Sequence, residues 1–164
     1  MLAMIHAMLT TTERRQLRYA FNKLKILKDV IAISRIKMEM VANAMEDKYL
    51  KRSILTFVAE TSPCEEEIKK QMDSLSHVFP VNDLQSGLKE CDDHLTFQDP
   101  FSCATHYEKQ TIQAFRLLLN DADIIPGIRS SLQNHLNEML YAFLKIKLLN
   151  SFSLKELSGE RSLF

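Results

Sequence analysis

The chain has 164 residues, 46% of them hydrophobic and 26% charged, with a formal net charge of zero. That length and balance suit one globular domain with a real core and exclude a disordered or strongly polyionic chain. Three Gly, four Pro and eight Met in the whole sequence point to long helices rather than turn-rich sheets.

The opening MLAMIHAML has no basic lead and no small-residue cleavage site, so it does not read as a signal peptide. Thr10 to Glu13 is a capping box, which starts a first helix near Thr11. Leu17, Leu24, Ile31, Met38 and Met45 then recur every seven residues, and Ala20, Leu27, Ser34 and Val41 each follow by three. Four heptads of that seam describe one edge of a helical bundle. A second heptad set, Tyr19, Ile26, Ile33 and Met40, falls on roughly the opposite face of the same helix. One bundle core covers only one face, so this strip is expected to pair with a second copy, most simply as a dimer, the alternative being that residues 1–9 or 151–164 fold back over it.

Asp47 caps a second helix from Lys48. Leu50, Ile54, Phe57, Thr61, Cys64, Ile68, Met72, Leu75 and Phe79 keep helical spacing straight through Pro63. Unbroken phase predicts one helix over about 48–78, kinked where Pro63 removes an N–H. Residues 80–99 read as an irregular connection with a short helix over 84–91. Asp99-Pro100 opens a third helix that runs to about Asn120. After a turn over 121–127, a fourth helix is predicted over about 128–150, with Leu132, His135, Leu136, Met139, Phe143, Ile146 and Leu149 inward. Leu140, Leu144 and Leu148 widen its apolar stripe, and residues 151–164 read as a loosely held tail. The expected architecture is an all-α four-helix bundle, one domain over residues 1–150.

The stretch from Leu24 to Val78, within it "LKDVIAISRIKMEMVANAMEDKYLKRSILTFVAETSPCEEEIKKQMDSL", resembles the opening helix pair of a little-characterised bacterial family of ferritin-like bundles. "HYEKQTIQAF" and "LQNHLNEMLYAFLKIK" fit the family's second pair. The resemblance implies a ferritin-like up-down fold and, loosely, a stress- or metal-related ancestry. It implies no established reaction.

Metal-binding ferritin-like proteins take a Glu from each of two helices and Glu-x-x-His from each of the other two. Here Glu60 is followed by Thr61, Ser62 and Pro63, so the expected histidine is a proline with no ligand atom. His135-x-x-Glu138 has the right types in reversed order, and Glu39 and Glu108 stand on the first and third helices. A dry, apolar-centred bundle is therefore the expectation, with a degenerate di-metal site at Glu60, Glu108, His135 and Glu138 as the alternative. Cys91-x-x-His94 and Cys103-x-x-His106 put two cysteines and two histidines, enough for a tetrahedral zinc site, within sixteen residues, at unfamiliar spacing. Three scattered cysteines argue against a disulfide framework and for a cytoplasmic setting.

Residues 1–38 carry eight basic and two acidic side chains, and residues 60–100 carry three basic and ten acidic. The basic residues spread over several faces of one helix without stacking aromatics, so no nucleic-acid partner is expected. No apolar run reaches the ~20 residues that span a bilayer, and no membrane partner is expected. There is no phosphate loop, nucleophile elbow or catalytic triad order. The functional expectation is a non-enzymatic, self-associating helical protein without a cofactor.

Overall fold

The computed structural model describes residues 10–77, 99–120 and 126–160, with side chains of 126–127 and 152–160 outside the description. These residues form four helices: α1 (Thr11–Asn43), α2 (Lys48–Ser76), α3 (Pro100–Leu119) and α4 (Pro126–Glu160). There is no strand among them.

Local chemistry sets the helix starts. The Thr10 hydroxyl accepts from the Glu13 N–H at 3.2 Å, and the Glu13 carboxylate accepts from the Thr10 N–H at 2.7 Å. That donor holds the Glu13 carboxyl below its usual range, with the Thr10 hydroxyl adding to it. Asp47 accepts from the N–H groups of Tyr49 and Leu50, and Asp99 accepts from those of Phe101 and Ser102. Each carboxylate satisfies donors that the first turn leaves orphaned. Pro100 stands at the first position of α3, where its missing N–H costs nothing. Pro126 opens α4 in the same way, two residues before the start that the turn signals suggested.

α2 runs unbroken through Pro63, as the unbroken hydrophobic phase requires. Proline cannot donate to the carbonyl four residues back, and its ring crowds that turn. Side-chain donors reach the carbonyls of the turn just before it. The Thr61 hydroxyl lies 3.1 Å from both the Phe57 and Val58 carbonyls. Arg35 of α1 donates from Nε to the Val58 carbonyl at 3.3 Å, and its other end pairs with Glu65. Arg35 thus spans the proline turn from outside.

The α1 seam lies where its spacing places it. Leu24, Leu27, Ile31, Ser34, Met38 and Val41 are buried. α2 contributes Ile54, Phe57, Thr61, Cys64, Ile68, Met72 and Leu75. α3 adds Cys103, Ala104, Tyr107, Thr111, Ala114, Phe115 and Leu118, and α4 adds Leu132, Leu136, Met139, Ala142, Phe143 and Ile146. Phe57 and Phe143 meet at the centre with ring centroids 4.8 Å apart.

α1 packs on α2 and α3, and α4 packs on the same two. The long-range contacts fix directions. Lys23 of α1 donates to the Leu117 carbonyl near the end of α3, whereas Lys37 lies close enough to Cys103 at the start of α3 to act on its thiol. α1 and α3 are therefore antiparallel. Phe57 meets Phe143, and Cys64 feels Glu138, so α2 and α4 are antiparallel as well. Arg129 reaches the Leu119 carbonyl, and Lys147 reaches Glu108, which makes α3 and α4 antiparallel. The order is up, down, down, up rather than strict alternation. α2 and α3 are parallel and diagonal, and the end of one and the start of the other lie at opposite ends of the bundle.

Two expectations need correction or fall elsewhere. α4 does not end at Asn150: its backbone stays helical to Glu160. No Gly or Pro interrupts the sequence before Gly159, and Leu154, Lys155, Glu156 and Leu157 are good helix formers. The short helix expected over 84–91 lies outside the described residues.

Candidate functional site

The carboxylates considered for a di-metal site do not meet. Glu39 is exposed on α1. Glu60 of α2 takes both its oxygens to Lys145 of α4, at 2.8 and 2.9 Å. Glu108 of α3 pairs with Lys147 on the other flank of α4. His135 is half-buried, and its Nδ1 lies 3.3 Å from Glu138, whose side chain is 69% exposed. α4 thus offers cations on both flanks, and each interhelical carboxylate is neutralised separately. Among the described residues no three His, Cys, Asp or Glu side chains stand close enough to share a metal ion.

Of the Cys/His set, Cys103 is fully buried and His106 stacks edge-on against the Tyr107 ring at 5.0 Å. Cys91 and His94 lie outside the described residues. Cys64 and Cys103 are free thiols. Burial pushes the Cys64 thiol up to about 12, with the nearby Glu138 and Glu65 charges adding to it. Burial likewise raises Cys103 to about 11, against the opposing pull of Lys37. Both are protonated at neutral pH, which is the opposite of a nucleophile's condition.

Two shallow surface grooves stand out. One lies along α2 between Lys48 and Glu60 and includes Lys51, Arg52 and Leu55. The other lies between α3 and α4, lined by Glu108, Ile112, Arg116 and Lys147 among others. Both are open to solvent. Neither has the enclosed apolar wall with convergent polar groups that marks a small-molecule site.

The exposed apolar surface is more informative. On α1, Tyr19 is 58% exposed, Ile26 49%, Ile36 56% and Met40 60%. Ile33, the remaining member of the second heptad set, is half-buried and packs against the core. Ile36 joins the strip on its outer edge and was not in the heptad set. Leu117 of α3, 49% exposed, lies beside the Lys23 end. Lys23 covers the Tyr19 ring at 4.3 Å, a cation–π contact that still leaves most of the ring open. Tyr141, Leu144 and Leu148 form a shorter exposed row on the outside of α4.

No protein-family model matches this chain, and neither does any curated protein or solved structure. No helix among the described residues is long and apolar enough to cross a membrane.

Proposed function

We propose that this protein is a non-enzymatic, ferritin-like helical bundle that works by self-association through the outer face of α1. The observation that carries the reading is the strip of Tyr19, Ile26, Ile36 and Met40, each about half or more exposed along a single 33-residue helix. An apolar patch of a few hundred square ångströms is about the largest that a monomer ordinarily bares, and such patches are often functional. The ferritin-like assignment rests on the parallel, diagonal α2 and α3, since such folds join two antiparallel hairpins by one long crossover. The cytoplasmic setting rests on two free, buried, unreactive thiols.

Light scattering on the full chain tests association, and a dimer is expected. Ile26→Glu with Ile33→Glu is expected to give folded monomer. Elemental analysis of tag-free protein tests the rival metal-binding reading: less than one equivalent of iron, manganese or zinc per chain is expected. Stoichiometric zinc lost in Cys103→Ser, or iron lost in Glu60→Ala or Glu108→Ala, would replace self-association with metal binding as the leading account.

A further inference from the structure

The strip constrains how two copies meet. Tyr19, Ile26, Ile33 and Met40 are spaced seven apart, so the set is unchanged when its direction is reversed. Two such strips therefore match in either orientation, and apolar shape alone does not choose. Charge does. The N-terminal end of α1 exposes Arg14, Arg15 and Arg18, while Glu13 is turned to the Thr10 cap. The far end of α1 and the turn after it expose Glu39 and Glu46, while Asp47 is turned to the α2 cap. Parallel pairing would set three arginines against three arginines. Antiparallel pairing sets them near two carboxylates, Glu39 and Glu46.

The occupant is equally constrained by area. The four exposed side chains bare roughly 400 Å² of apolar surface per copy, about half of the ~800 Å² that each partner contributes to a standard interface. The stems of the flanking arginines and of Glu39 lie along the same helix and add to that area. A straight helix face of ~50 Å fits another straight helix of the same length.

Resting on the self-association reading, we infer that a second copy's α1 covers this face antiparallel, about a two-fold axis near Asp29. Tyr19 then lies by the partner's Met40, and Ile26 by the partner's Ile33. The basic end of each helix meets the acidic end of the other. The interface is isologous and closes at two copies.

Single-cysteine variants of the full chain test the geometry. Cys91→Ser supplies the background, since Cys64 and Cys103 are buried. Asp29→Cys, Tyr19→Cys and Met40→Cys are each treated with a short bis-maleimide, and light scattering follows the state of each. Asp29→Cys alone is expected to give covalent dimer. Tyr19→Cys and Met40→Cys are each expected to give none alone, because like residues then stand ~30 Å apart. An equal mixture of those two is expected to cross-link. Covalent dimer from Tyr19→Cys alone and Met40→Cys alone would establish parallel pairing and overturn the antiparallel one. A stable dimer with no cross-link in any variant or mixture would move the interface off α1. A wild type that is monomeric by light scattering would overturn self-association itself, a different result from either. Charge reversal gives a second test that leaves the core untouched: Arg15→Glu with Arg18→Glu is expected to weaken the dimer several-fold, and adding Glu39→Lys with Glu46→Lys to restore it. Restoration failing while the fold is intact would refute the end-to-end charge match.

Discussion

Thr61 and Thr111 carry the same side chain at the same burial, each 1% exposed, and they are expected to respond oppositely to the same change. Both face the core, one on α2 and one on α3. The Thr61 hydroxyl has carbonyl partners at 3.1 Å beside the proline turn. The Thr111 hydroxyl has no hydrogen-bond partner among the described residues. Replacing threonine with valine swaps hydroxyl for methyl at nearly constant volume, and both residues are β-branched, so helix propensity changes little. For Thr111→Val the change removes an unsatisfied buried hydroxyl, whose desolvation costs about 1–3 kcal/mol in protein interiors. A gain of ~1 kcal/mol is expected, which for a domain of this length raises Tm by about 2–4 °C. For Thr61→Val the change deletes a made bond to the carbonyls of the turn before Pro63, at a cost of ~1 kcal/mol. Urea unfolding followed by far-UV circular dichroism, with thermal melts alongside, measures both. If Thr111→Val loses as much stability as Thr61→Val, the Thr111 hydroxyl is bonded in solution and the reasoning fails.

Four further outcomes follow from the same geometry. Ser34 is fully buried with an unpartnered hydroxyl, so Ser34→Ala should be neutral or stabilising by up to ~1 kcal/mol, a loss beyond that pointing to a hidden partner. Arg35→Met should cost ~1–2 kcal/mol through the lost Val58 and Glu65 contacts, whereas Lys145→Met, at a more exposed pair, should cost no more than ~1 kcal/mol; equal effects would show that Arg35 does not support the proline turn. Cys64 and Cys103 should resist a thiol reagent in native protein and react on unfolding in urea. Their raised values make stability complete below about pH 9 and lost above it, because the unfolded chain releases protons that the native chain keeps, by up to ~1.4 kcal/mol per pH unit per thiol. That loss should level off near 11 for Cys103 and 12 for Cys64, and the steep alkaline fall should flatten in a Cys64→Ala, Cys103→Ala variant.

Much of the fold follows from features that act within a turn or two of chain. The α1 seam, the Thr10, Asp47 and Asp99 caps and the passage of α2 through Pro63 rest on periodicity and on side chains bonding N–H groups two or three residues away. Such interactions are complete within the local sequence, so reading order alone reveals them. Composition also fixed the all-helical class, because few breakers and long heptad runs leave no room for sheets. The fate of polar residues was not local. Glu60 and Glu108 stand at positions a metal site could use, yet Lys145 and Lys147 on α4, 85 and 39 residues away, claim them. Only packing puts those ammonium groups within reach. Ser34 lies on the seam that its spacing predicts, but its lack of a hydrogen-bond partner among the described residues depends on what the neighbouring helices present. Ile33 belongs to a regular heptad strip, yet it packs against the core while Ile26 and Met40 of the same strip are exposed. The direction of the second hairpin is the largest such case: caps and periods are blind to whether α3 runs with α2 or against it, and the Lys23–Leu117 and Phe57–Phe143 contacts decide it.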